Sequence, residues 1–164
     1  MFIFLILCGC GLNNNTEIST LDRSSSPKYL KTAIAFTGLN ENDDRKVLKE
    51  LMKVDPVNVE WCAAFVNSIL RVNDIPGSES VNNNPLLARS FLDWGSSVEN
   101  PKIGDIVVFP RGNQGWQGHV GIYILTKVEN DIEYYLILGG NQGDEVSYEY
   151  YPASSKLDVR RWID

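Results

Sequence analysis

Trp61-Cys62-Ala63-Ala64-Phe65-Val66-Asn67-Ser68-Ile69-Leu70 is the stretch on which the fold turns. Trp61, Phe65 and Ile69 recur every fourth residue, and Cys62, Val66 and Leu70 form the adjacent row. That spacing predicts a helix apolar on neighbouring faces, and therefore buried. Asn73-Asp74 and Pro76-Gly77 end it. Upstream, Leu30, Ala33 and Ile34 mark a helix between Tyr29 and Phe36 that stops at Gly38. Val47, Leu48, Leu51 and Met52 put one apolar face on a second helix. Asn42-Asp43-Asp44 gives that helix an acidic, cap-forming start, and Asp55-Pro56 breaks it. Ala88 to Trp94 predicts a short helix closed by Gly95.

Beyond Gly95 the character changes. Ile106-Val107-Val108-Phe109, Val120 to Leu125 and Tyr134 to Leu138 are β-branched and aromatic runs separated by Gly and polar clusters. Val146 to Tyr150 and Val159 to Trp162 supply two further strands. Helices first and strands after predict an α+β domain, with N-terminal helices packed on a C-terminal antiparallel β-sheet.

The chain has 164 residues, 43% of them hydrophobic, which suits one globular domain. Its formal charge of −6 argues against a nucleic-acid partner, because such domains present a basic face. One histidine, His119, is present, so a His-rich metal site is excluded in a monomer, and no metal or cofactor is expected. Of three cysteines, Cys8 and Cys10 lie in an apolar leader and Cys62 stands alone in the body, which is no disulfide framework.

Met1 to Leu7 is nearly continuous apolar sequence, and Leu7-Cys8-Gly9-Cys10 resembles the bacterial lipoprotein box. On that resemblance residues 1–9 are a signal segment, Cys10 receives lipid, and residues 10–27 form a flexible tether to a body at 28–164. The expected location is the cell envelope, on a membrane facing the periplasm or the cell wall.

Cys62, in the first turn of its helix, meets unpaired backbone N–H groups and the positive end of the helix dipole, which predicts a lowered thiol pKa. His119 stands where a glycine-rich loop enters a strand, in Gly118-His119-Val120-Gly121. A sheet packed on the Cys62 helix would let the imidazole pair with the sulfur. Asn141 follows the next strand and is the candidate third member, giving a Cys-His-Asn arrangement. Gln142 is the runner-up. Trp61, Trp116 and Gln142 are the candidate substrate contacts. Asp105 is expected to close a tight turn into its strand, Trp94 to lie in the core, and Tyr148, Tyr150 and Tyr151 to pack at an edge.

Four blocks in order carry a resemblance: Trp61 to Asn67, Gly104 to Phe109, Gly118 to Gly121, and Leu138-Gly139-Gly140-Asn141-Gln142. Together they resemble the NlpC/CHAP superfamily, and within it a group of small bacterial and phage proteins with a Gly-Gly-Asn-Gln block. The resemblance spans roughly residues 29–164. It implies a papain-like fold and cleavage of amide bonds in peptidoglycan, by an endopeptidase or an N-acetylmuramoyl-L-alanine amidase. It also implies Cys62 as nucleophile, His119 as general base and Asn141 as orienting residue. Many of these enzymes carry an acidic residue two positions before that asparagine, where this chain has Gly139. The implied partners are a peptidoglycan or muramyl peptide substrate and, through Cys10, a membrane, with the protein itself a monomer. The alternatives from other classes are a non-catalytic wall-binding lipoprotein and a thioester-forming acyltransferase.

Overall fold

The computed structural model describes residues 26–163. The leader, Cys10 and all but the last two residues of the expected tether lie outside them. Those two residues belong to the packed body. Ser26 is buried, and the Pro27 ring sits against Gly104 so closely that a side chain there would strike it.

Three α-helices precede the sheet: α1 (Lys28–Ile34), α2 (Arg45–Met52) and α3 (Cys62–Arg71). Every residue of α3 from Cys62 to Leu70 is buried, as its two apolar rows require. In α2 only Leu48 and Met52 are fully buried, and Val47 is exposed, so its core-facing stripe is narrower than the sequence pattern. The capping expectation fails at Asp44: its carboxylate accepts the Asn40 N–H at 3.1 Å, closing the preceding turn instead of capping α2. Ala88–Asp93 is a 3-10 helix, not an α-helix. No helix among the described residues is long and apolar enough to cross a membrane.

Six strands follow: β1 (Ser96–Ser97), β2 (Ile106–Pro110), β3 (Gly118–Glu129), β4 (Ile132–Gly139), β5 (Ser147–Pro152) and β6 (Asp158–Arg161). They form one antiparallel sheet in the order β1-β6-β2-β3-β4-β5. Strand alternation divides the apolar residues between two faces. Ile106, Val108, Val120, Ile122, Leu136 and Leu138 meet the helices, while Val107, Phe109, Tyr135, Ile137 and Val159 form a smaller second core. Both faces are thus covered at the centre, which explains the unbroken apolar run of β2. Between Tyr123 and Leu125 the β3–β4 register slips by one residue, a bulge that lets Ile124 and Leu125 both pack toward the helices.

Two polar devices fix the approach to the sheet. Asp105 accepts the Lys102 N–H at 2.7 Å and takes both prongs of the Arg161 guanidinium at 2.8 and 2.7 Å, tying the turn before β2 to the end of β6. Buried Asn67 on α3 accepts the Ser78 N–H at 2.7 Å and donates to the Pro85 carbonyl at 2.8 Å. Each such bond contributes about 0.5–1.5 kcal/mol net. Together they pin to α3 the loop that carries Leu86 and Leu87.

Candidate active site

The first helical residue of α3 is Cys62, so its side chain sits where α3 abuts β3. The backbone N–H groups of Val120 and Ala63 lie against the sulfur. Val120 is the residue after His119, so the sulfur meets β3 next to the residue that carries the imidazole. Cys62 is free and 2% exposed.

That burial overturns the expected ionisation. The two N–H groups and the nearby Arg111 charge favour thiolate, but loss of hydration outweighs them, and the thiol pKa is raised. Position at a helix start does not ionise a sulfur that keeps so little hydration.

His119 faces Phe109 across the β2–β3 pair and is fully buried. Its ring lies flat against that of Tyr151, with centroids 5.3 Å apart and planes at 22°. Its Nε2 lies 2.9 Å from Gln142 Oε1. The Gln142 amide is held the right way round by its other end, because Nε2 of Gln142 donates to the Ser147 carbonyl at 2.7 Å. Gln142 therefore presents an acceptor, His119 Nε2 must carry the proton, and the lone pair is on Nδ1. Nδ1 is buried and makes no hydrogen bond, to the sulfur or to any other group. Burial and the Arg111 charge push the imidazole pKa down to about 4 against a weaker upward pull from Gln142, so the ring is neutral at pH 7.

Asn141 does not reach His119. β4 ends at Gly139, and Asn141 adopts a left-handed backbone conformation (φ 58°), which breaks the strand alternation. Its side-chain amide donates to Glu60 at 2.7 Å, and the next residue's amide takes the place against the imidazole. Gly139 makes that possible: a Cβ there would come within 2.8 Å of Gln142 Oε1 and 3.3 Å of His119 Nε2. The space an acidic side chain at 139 would need is filled by Gln142.

Trp61 is not a surface contact either. Its ring lies over Gly140, where a Cβ would intrude to 2.5 Å, and it is fully buried with its N–H on Glu41 at 2.8 Å. Trp116, by contrast, is 60% exposed. It lines a cleft of about 130 Å³ with Cys62, Glu60, Leu86, Ala88 and Arg111. A larger hollow of about 670 Å³ lies between α1 and the Asp105–Arg161 pair and is lined by none of Cys62, His119, Asn141 and Gln142. Among the described residues no group of three or more His, Cys, Asp or Glu side chains is placed to hold a metal ion.

Two residues of the site, Glu60 and Arg111, escaped the sequence reading, and Tyr151, read there as edge packing, stacks on the imidazole. Arg111 donates to the Asn141 carbonyl at 3.2 Å and hydrogen-bonds Tyr151, whose hydroxyl also contacts Gln142 Oε1 at 3.3 Å. The available signal was proximity in sequence to the ends of elements: Arg111 follows β2, and Glu60 lies two residues before the start of α3.

The family model of the CHAP domain matches residues 54–141, more than half of the chain. The matched span includes Cys62 and His119 and stops one residue short of Gln142. No curated protein matches the chain.

Proposed function

This chain belongs to the CHAP domain family, whose members are generally hydrolases acting on peptidoglycan, and we propose that it is a cysteine hydrolase of peptidoglycan peptide amide bonds. Cys62 is the nucleophile, His119 the general base and Gln142 the residue that positions the ring. The observation that carries this reading is the unpaired, buried Nδ1 of a neutral imidazole, one residue from the N–H that lies against the Cys62 sulfur.

The resting pair is thiol and imidazole, so ionisation accompanies attack. As Sγ bonds to the substrate carbonyl carbon, its proton passes to Nδ1 and the carbonyl electrons move to oxygen. Backbone N–H groups at the start of α3 stabilise that oxyanion. The imidazolium then gives its proton to the departing amine, leaving a thioester. Water attacks the thioester with Nδ1 taking its proton, the acid is released, and the thiol is restored. Gln142 keeps the Nε2 proton in place throughout, so only Nδ1 exchanges protons. Lipid on Cys10 would hold the enzyme at the envelope, beside its polymeric substrate.

The test is incubation of the full chain with purified peptidoglycan. Hydrolysis releases one free amino group per bond cut, and prior alkylation of Cys62 abolishes the release. Retention on the polymer with no new amines would identify a binding protein instead. A conjugate formed with an added amine in place of free acid would identify an acyltransferase.

A further inference from the structure

The cleft beside Cys62 has an apolar wall of Leu86, Ala88 and Trp116 and one charged end, where Arg111 faces Glu60. This Arg–Glu pair differs from others in the molecule. Arg45 grips Asp55 with two bonds of 2.7 Å, and Arg161 grips Asp105 with bonds of 2.8 and 2.7 Å. Arg111 reaches Glu60 by one long approach of 3.6 Å, and the Glu60 side chain is 81% exposed. The same Glu60 oxygen already takes the Asn141 amide proton at 2.7 Å. A guanidinium fork matches a carboxylate bidentately, and Glu60 leaves that capacity unused. The anchors of Arg111 are the Asn141 carbonyl and Tyr151, on the site side of the cleft.

We infer that Arg111 is the receptor for a substrate carboxylate, with Glu60 a weakly held stand-in that the substrate displaces. The inference rests on the hydrolase reading and narrows it. The peptide cut is one in which a small uncharged residue, seated against Leu86, Ala88 and Trp116, is flanked by a free carboxylate. Exposed single-contact ion pairs are weak, so displacing Glu60 opposes binding little. A bidentate bond inside the cleft gains far more.

The test compares two soluble peptidoglycan stem peptides on the full chain, one as the free acid and one with its carboxylates converted to primary amides. Wild type is expected to favour the free acid by roughly 10- to 100-fold in kcat/KM, mostly through KM. Arg111→Ala reduces the preference to near unity, and Arg111→Lys, which keeps the charge but loses the fork, falls between. Any effect of Arg111 on the thiol acts equally on both peptides and cancels in the ratio. Glu60→Gln removes the competing carboxylate and sharpens the preference. Binding of both peptides to the Cys62→Ala protein, followed by calorimetry, gives the same comparison without turnover. Equal handling of the two peptides by wild type, or an undiminished preference in a folded Arg111→Ala protein, overturns the inference. Absence of turnover with selective, Arg111-dependent binding would instead sink the hydrolase reading and leave the carboxylate receptor standing.

Discussion

Replacing Cys62 with alanine is expected to lower kcat/KM for peptidoglycan hydrolysis on the order of 10⁴-fold or more, with the fold intact. The change removes one sulfur from a buried position and introduces no polar group or charge. Its stability effect is that of a small void, about 1 kcal/mol, which moves the midpoint of thermal unfolding by only a few degrees. The Val120 and Ala63 N–H groups beside the sulfur lose a weak acceptor, and the α3–β3 contact is otherwise unaltered. Amine release measured beside a far-ultraviolet circular dichroism melt separates chemistry from folding. A folded variant that still turns over would end the cysteine mechanism.

His119→Ala is expected to cost roughly 10²–10⁴-fold, the usual contribution of a general base. Added imidazole should restore part of the loss by occupying the vacated space between Tyr151 and Gln142. The pH dependence follows from the depressed ring pKa. With the imidazole pKa at about 4, the base remains unprotonated down through pH 5, so the acid limb of kcat/KM falls near 4 and not near the ordinary 6.5. Stability has the same sign. The unfolded ring takes a proton below about pH 6.5, and the folded ring only near 4, so the unfolded state binds more protons across that window. Folding free energy is therefore full above 6.5 and declines as pH falls toward 4, by roughly 3 kcal/mol from this group. Urea unfolding at pH 7 and 4.5 should show a larger decline in wild type than in His119→Gln, by the share of this group. Carboxylates contribute equally to both proteins and drop out of the comparison.

What the sequence made legible was what local pattern determines. The two apolar rows of α3, the runs of β2 to β4 and the helix-then-strand order follow from periodicity, and with them the neighbourhood of Cys62 and His119. The third position was not legible at single-residue resolution. Asn141 and Gln142 both carry side-chain amides, and only the left-handed turn at Asn141 decides which one faces the ring. Trp61 shares its face with Phe65, and the spacing read it as buried. Its nomination as a substrate contact fails, because the ring is buried over Gly140. The two-residue β1 has no apolar signal, because it is held by backbone pairing to β6 at an exposed edge. The thiol's ionisation depends on how deeply α3 is covered, a tertiary quantity that overrides the local field of a helix start.

The central claim is that burial and the Arg111 charge keep the imidazole neutral, while Gln142 fixes its proton on Nε2 and leaves its lone pair on Nδ1 for the Cys62 thiol. Because the sequence contains a single histidine, uniform ¹⁵N-histidine labelling gives one ring to observe. Nitrogen spectra at pH 7 are predicted to show a neutral ring protonated at Nε2, with titration only near pH 4. A ring protonated at Nδ1, or an imidazolium at pH 7, would contradict the account.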